Sequence, residues 1–163
     1  MPSFSEAVVA INDLKEAKLI EDYAIGGAMA AVFWTEAITT FDLDVLVLLP
    51  SGESSLISLA PIYAWAEERQ YPLRDEHIVI GGVPVQFLPA YSALAEEAVR
   101  EAKTLDYNGL PVRVVRPEHL IGLALEGSAK TARRRERAAM LRETAEVDET
   151  VLQSIIERYT LSW

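Results

Sequence analysis

Apolar residues recur along the chain at two spacings, and these spacings predict the order of its helices and strands. Apolar residues three and four positions apart predict seven helices, and short runs rich in β-branched residues predict six strands. The predicted helices cover residues 5–19, 28–34, 56–70, 92–101, 117–126, 129–143 and 148–159. The predicted strands cover residues 23–25, 43–49, 77–80, 83–88, 103–107 and 110–115.

The predicted strands should assemble into a mixed sheet. Residues 45–49 are all apolar, which is typical of a central strand covered on both faces. The pairs Gly81-Gly82 and Asn108-Gly109 each separate two short strands and predict β-hairpins with two-residue primed turns. The order of elements predicts an α/β (α+β) fold in a single domain, residues 1–163, with a mixed-sheet core over about 1–115 and C-terminal helices over about 116–163.

The helix predicted over residues 56–70 has a less regular pattern than the others. Ser54 or Ser55 is a suitable cap, and Tyr63 and Ala64 are among the residues expected to face the core. Pro61 falls inside the pattern, so the helix either starts late or bends there.

Composition narrows the classes of function. The chain has 163 residues, half of them hydrophobic, and a formal net charge of -10, which argues against a general nucleic-acid-binding surface. It has no cysteine, which excludes thiolate catalysis and cysteine-ligated metals. No stretch has the length and apolar character of a leader peptide or a membrane span, so a cytoplasmic protein without membrane contact is expected. The oligomeric state is left open.

Two acids open the predicted central strand. Asp42 and Asp44 are two positions apart, so their side chains should lie on the same face. At an effective dielectric of about 20, two carboxylates roughly 6 Å apart repel by about 3 kcal/mol. Mg²⁺ or Mn²⁺ would relieve that repulsion, because hard cations take carboxylate oxygens as ligands. In the alternative interpretation, Asp42 caps the preceding turn and Asp44 is solvated.

A glycine pair precedes the second predicted helix. Gly26 and Gly27 follow a short strand, so the free backbone N–H groups at the helix start are placed to bind a phosphate. The alternative is an ordinary strand-to-helix turn in which glycine relieves crowding.

Together these residues resemble the signature of the nucleotidyltransferase superfamily, which has the DNA polymerase β-like fold. That signature is a Gly-Gly or Gly-Ser turn followed, after a helix, by Asp-x-Asp, often preceded by Thr; here it corresponds to Gly26-Gly27 and to the run from Thr40 to Asp44. The resemblance is greatest to the small bacterial branch related to the AbiEii-type toxin nucleotidyltransferases, whose strand and Pro-Glu-x-Leu helix are similar to residues 112–120. It covers about residues 20–142.

The resemblance implies an activity and a set of site residues. Asp42 and Asp44 would bind Mg²⁺ or Mn²⁺, and Gly26, Gly27 and Thr40 would lie at the nucleotide. A nucleoside monophosphate would be transferred from a nucleoside triphosphate to a hydroxyl of an RNA, protein or small-molecule acceptor, with release of pyrophosphate.

The sequence departs from that pattern at the expected third carboxylate. The best candidate strand, residues 83–88, offers Gln86, whose amide oxygen can bind a metal but cannot take a proton. Asp75, Glu36 or Glu118 are possible substitutes. The alternative is a catalytically weakened or inactive relative that binds a nucleotide or a protein partner, in a toxin–antitoxin or defence context.

The toxin branch also carries a Lys in the helix after Pro-Glu-x-Leu and a Lys-Asp pair soon afterwards. The corresponding positions here are Ala124 and Lys130-Thr131, so only one lysine of the pattern is kept.

One predicted helix is strongly basic. Lys130, Arg134 and Arg137 share a face at helical spacing and are candidates to bind a triphosphate or an RNA backbone. The alternative is a solvated face balanced by neighbouring glutamates. We expect His77 and the tryptophans to be structural, and His119 to be at most a minor catalytic candidate.

Overall fold

The computed structural model describes residues 3–34, 42–50, 59–126 and 132–163. Its helices are α1 (Phe4–Glu16), α2 (Gly27–Trp34), α3 (Ala60–Glu68), α4 (Ala93–Arg100), α5 (Pro117–Leu125), α6 (Ala132–Thr144) and α7 (Glu149–Arg158). Its strands are β1 (Asp22–Gly26), β2 (Leu43–Leu48), β3 (Leu73–Arg74), β4 (His77–Ile80), β5 (Val83–Pro89), β6 (Lys103–Tyr107) and β7 (Leu110–Val114).

The strands form one mixed sheet in the order β3-β4-β5-β2-β1-β7-β6. Strand β2 lies near its centre, antiparallel to β1 and parallel to β5, and β1 is parallel to β7. Helices cover the sheet, and three helices follow it in the chain. The predicted fold class, a mixed sheet with flanking helices and a C-terminal helical segment, is therefore confirmed.

Both predicted hairpins are present. Gly81 and Gly82 have positive φ angles of 58° and 80°, and Asn108 and Gly109 have 50° and 84°, as a primed two-residue turn requires. Strand β3 was not predicted. It is two exposed residues long and pairs with β4 across a tight turn in which Asp75 has φ of 55°.

Helix α3 begins at Ala60, so the described part of the chain agrees with the late start that Pro61 allowed. Its buried side chains are Ile62, Trp65 and Ala66, which share a face at spacings of three and four. The prediction that Tyr63 and Ala64 face the core was wrong, since both are exposed. Residues 51–58, which include the suggested caps Ser54 and Ser55, lie outside the described residues.

Polar groups, in addition to apolar packing, join the C-terminal helices to α4 and to one another. The Glu97 carboxylate of α4 accepts hydrogen bonds from Arg158 at 3.1 Å and from the Tyr159 hydroxyl at 3.0 Å, and it lies 2.9 Å from Nε2 of the fully buried His119. Glu118 of α5 accepts the backbone N–H of Asp148, the N-cap residue of α7, at 3.0 Å. Glu118 and His119 are therefore structural links.

Within the described residues, no helix is long and apolar enough to cross a membrane.

Candidate functional site

The register of the sheet places three of the predicted site residues side by side. Asp44 of β2 is paired with Gly26 of β1 on one side and with Gln86 of β5 on the other. Directly paired residues of neighbouring strands have their side chains on the same face. The structure therefore brings together the glycine turn, the second aspartate and Gln86. Asp42 lies exposed just before β2.

Gly27 lies against the carboxylate of Asp44. Its φ angle is 59°, and a Cβ atom built on it would overlap Asp44 Oδ2 and lie 3.2 Å from both Cβ and Cγ of Asp44. Glycine is thus required here for its backbone conformation and for the close approach. Because α2 begins at Gly27, the start of this helix lies beside the same carboxylate.

A cleft of about 370 Å³ opens at this point between the sheet, α5 and α6. Its walls combine an apolar surface with a few polar groups. The lining residues are Gly26, Gly27, Asp44, Leu46, Leu88, Leu120, Leu123, Ala124, Glu126, Arg134 and Arg137. A concave site with apolar walls and a few convergent polar groups is typical of small-molecule binding.

Burial and neighbouring charges act in opposite directions on Asp44. Partial burial raises the pKa of its carboxyl above the ordinary value, and the charge of Asp42 raises it further. His77 and Arg137 act against this rise. The cost of holding Asp44 ionised is the kind of cost that a bound cation relieves.

Two arginines of α6 line the cleft opposite the sheet. Arg134 donates from Nη2 to the carbonyl oxygen of Leu123 at 2.7 Å, which fixes its guanidinium near the end of α5. Arg137 is partly buried, and the pKa of its guanidinium is lowered first by desolvation and then by Arg133, while Asp44 raises it. A partly desolvated cation that lines the same cleft as the start of a helix is suited to bind an anion.

Other predicted residues are placed elsewhere or not described. Thr40, Lys130 and Glu36 lie outside the described residues, and Asp75 is exposed in the β3–β4 turn. Trp34 packs at the end of α2 and donates its indole N–H to the carbonyl of Val115 at 2.8 Å, in agreement with a structural role.

One acid at the site was missed by sequence reasoning. Glu76, next to Asp75, accepts a hydrogen bond from Nε2 of Gln86 at 3.0 Å. His77 follows it at the start of β4 and acts on the pKa of Asp44. The only sequence signal was that Glu76 precedes, and His77 begins, the strand predicted to form a hairpin with the strand of Gln86.

A second group of potential metal ligands lies away from the cleft. Oxygen and nitrogen atoms of Glu97, Glu101 and His119 lie within 4.8 Å of one another. Glu97 already accepts hydrogen bonds from Arg158, however, and a guanidinium at that distance opposes a cation.

No protein-family model matches the sequence, and no curated protein matches it either. Solved structures do match. An antigenic nucleotidyltransferase-like protein from Paracoccidioides brasiliensis aligns over 98% of this chain and 91% of its own, with 16% identity and a TM-score of 0.55. The chain has a nucleotidyltransferase-like fold.

Two structures of the antibiotic-resistance factor ANT(2'')-Ia are also similar. The solution structure aligns over 98% of this chain and 95% of its own at 18% identity and a TM-score of 0.47. The crystal structure in complex with adenylyl-2''-tobramycin aligns over 96% of this chain and 99% of its own at 17% identity and a TM-score of 0.49.

Proposed function

We propose that this protein is a metal-dependent nucleotidyltransferase that moves a nucleoside monophosphate from a nucleoside triphosphate to a hydroxyl group. The observation that carries the proposal is the contact between Gly27 and the Asp44 carboxylate at the mouth of a cleft that two arginines also line. A helix start that favours negative charge and a carboxylate that favours a cation are adjacent there. A metal-bound polyphosphate satisfies both at once.

The donor atoms present fit a magnesium ion. Asp42 and Asp44 would hold it through carboxylate oxygens, the ligands that Mg²⁺ prefers, and the raised pKa of Asp44 would fall when the ion binds. The bound ion supplies charge neutralisation and orientation of the phosphates. Mn²⁺ fits the same donor set.

The residues of the chain would act on the rest of the substrate. Gly26, Gly27 and the first turn of α2 would donate backbone N–H groups to phosphate oxygens. Arg134 and Arg137 would neutralise the triphosphate, with Thr40 and Lys130 as further candidate contacts, and the leucines of the cleft would cover the nucleoside. The acceptor oxygen forms a bond to the α-phosphorus, and the bond from that phosphorus to the pyrophosphate oxygen breaks.

Nucleotide binding can be tested by calorimetry with the non-hydrolysable analogue α,β-methylene-ATP in the presence of Mn²⁺. We expect Asp44→Asn and Asp42→Asn each to abolish Mn²⁺-dependent binding. Glu146→Gln, which removes one exposed acid from the connection between α6 and α7, should bind like the wild type. Unchanged affinity in Asp44→Asn would refute the assignment of the metal site.

Transfer can be tested with α-labelled nucleoside triphosphates and a panel of acceptors: total RNA, purified proteins and small hydroxyl compounds. The proposal expects label on one of these classes in wild-type protein and no label with Asp44→Asn. We propose that the whole chain acts as one domain. The resemblance to the AbiEii-type toxin branch suggests a toxin–antitoxin or defence context, and acceptors from that context should be tested first.

A second candidate function is a non-catalytic protein of the same fold that binds a nucleotide or a protein partner. Gln86 favours it, because the residue paired with Asp44 on the next strand is an amide rather than an acid. Mn²⁺-dependent nucleotide binding without transfer to any acceptor would support this function.

A further inference from the structure

Transfer to a hydroxyl requires a group that takes the hydroxyl proton, and this inference rests on the proposed function. The residue paired with Asp44 is Gln86, whose amide cannot act as a base. Another carboxylate of the cleft, Glu126, is already engaged, because it accepts a hydrogen bond from the Ser92 hydroxyl at 2.9 Å. The proton acceptor must therefore be sought beyond Gln86.

The row of paired residues continues past Gln86 into the next strand. Strand β4 is antiparallel to β5, with Ile78 opposite Val85. Continuing that register places His77 opposite Gln86, and Glu76 immediately precedes it in the β3–β4 turn. Glu76 in the turn and His77 at the start of β4 thus bring two side chains of proton-accepting type to the edge of the site.

Of these two, Glu76 has the direct link to the site. Its carboxylate lies 3.0 Å from Nε2 of Gln86. A carboxylate only accepts hydrogen bonds, so the amide nitrogen must be the atom of Gln86 on this side, and the amide oxygen is turned away from Glu76. Gln86 therefore holds an exposed carboxylate in a defined position one side chain away from Asp44.

We propose that Glu76 is the proton acceptor of the reaction and that Gln86 is its positioning residue. The proton of the acceptor O–H moves to the Glu76 carboxylate as the oxygen forms its bond to the α-phosphorus. The pyrophosphate leaves with the electrons of the broken P–O bond. Because Glu76 is exposed, it returns the proton to solvent between turnovers.

Glu76→Gln tests the assignment, because it removes the base and keeps the size of the side chain. Pyrophosphate release from Mg·ATP is measured with the acceptor that the labelling experiment identifies, or with water as the acceptor if that experiment identifies none. We expect kcat to fall by about 10² to 10⁴, the usual contribution of a general base. Binding of α,β-methylene-ATP with Mn²⁺, measured by calorimetry, should stay within about twofold of the wild-type value, a change of less than roughly 0.5 kcal/mol.

Asp75→Asn is the matched control. It removes a neighbouring charge from the same turn, and asparagine tolerates the positive φ angle of this position. Its kcat should match that of the wild type. His77→Gln tests whether the histidine at the start of β4, rather than Glu76, takes the proton.

The exchange Glu76→Gln with Gln86→Glu gives a stricter test. It preserves the carboxylate-amide pair and moves the carboxylate onto the strand that pairs with β2, so it should restore at least a tenth of the wild-type kcat.

Three outcomes would overturn the assignment. One is unchanged turnover in Glu76→Gln, and another is a loss confined to His77→Gln. The third is wild-type protein that binds the nucleotide with Mn²⁺ but releases no Asp44-dependent pyrophosphate. The first two outcomes leave the proposed function intact and refute only the role of Glu76. The third outcome, like nucleotide binding that does not depend on Asp44, refutes the proposed transferase itself.

Discussion

Replacing Gly27 with alanine should damage the site through two separable effects. The first is backbone strain, because the φ angle of 59° lies in the left-handed region that L-residues other than glycine adopt at a cost of about 1–2 kcal/mol. The second is the overlap of the new Cβ with the Asp44 carboxylate. The carboxylate is only partly buried, so it should rotate away at a cost of about 0.5–1.5 kcal/mol rather than deform the sheet.

The two effects together predict a loss of about 1.5–3.5 kcal/mol in the free energy of unfolding. For a chain of this length each kcal/mol lowers Tm by about 2–4 °C, so Tm should fall by roughly 3–14 °C. The functional effect should be larger than the effect on stability. A rotated Asp44 no longer lies beside the first turn of α2, so Mn²⁺-dependent binding of α,β-methylene-ATP should be lost.

Two other glycines separate these effects. Gly26→Ala adds a Cβ that lies 3.5 Å from Leu46 Cγ, an ordinary contact, at a position without a positive φ angle; it should be neutral or slightly stabilising. Gly109→Ala combines a φ angle of 84° with open space and so measures strain alone. Calorimetric binding and thermal unfolding of the three variants complete the test. The reasoning is refuted if Gly27→Ala binds the analogue like the wild type and is no less stable than Gly26→Ala.

Three further predictions concern charged groups. Arg137→Gln should weaken binding of the analogue by about 10- to 150-fold, because it removes hydrogen bonding from a charged group in the cleft. Arg135 is exposed, so Arg135→Gln should bind the analogue like the wild type, and calorimetry measures both affinities. Asp44→Asn should raise Tm at neutral pH. The pKa of Asp44 is raised in the folded state, so the ionised carboxylate destabilises the folded protein. Thermal unfolding in a pH series should show this gain in Tm vanish below about pH 4, where the carboxyl is protonated in the folded and the unfolded protein alike. Hydrogen bonding from Arg158 lowers the pKa of Glu97 from 4.5 to about 2, so its contribution to stability is complete above pH 4.5 and is lost as pH falls towards 2. Urea unfolding across that range should show a shallower loss for Arg158→Met, and an equal slope in both proteins would contradict the assignment.

The fold was predictable where local chemistry determines it. Two-residue turns require positive φ angles, and the glycine and asparagine at positions 81–82 and 108–109 identify both hairpins directly. Strand β3 has no such pattern, because two exposed residues give no periodicity to detect. The buried face of α3 was placed wrongly for a related reason. The prediction starts the helix at residue 56, before Pro61. The helix in fact begins at Ala60 and turns a different face to the core.

The site was predictable in part for the same reason. Gly27 and Asp44 belong to segments that are close in sequence and joined by a local strand-helix-strand unit. Gln86 reaches Asp44 through parallel pairing of β2 and β5, and parallel strands can be separated by a long connection whose register no local pattern specifies. Glu76 depends on a second pairing beyond that one. A sequence motif gives less information about a residue's position with each further strand pairing that separates the residue from Asp44.

The charge distribution also bears on what the cleft can bind. With a net charge of -10, the protein as a whole repels an extended polyanion such as RNA, and salt at physiological strength screens fields beyond about 8 Å. Arg134 and Arg137 therefore attract phosphate only at short range, inside the cleft and opposite Gly27. An isolated triphosphate satisfies this geometry, whereas an RNA strand would also have to pass the exposed acids at Asp42, Asp75 and Glu76. For the transfer that we propose, an acceptor approaching from that side is thus favoured to be neutral or cationic. Among the acceptor classes under test, this ranks small hydroxyl compounds and basic protein segments above RNA.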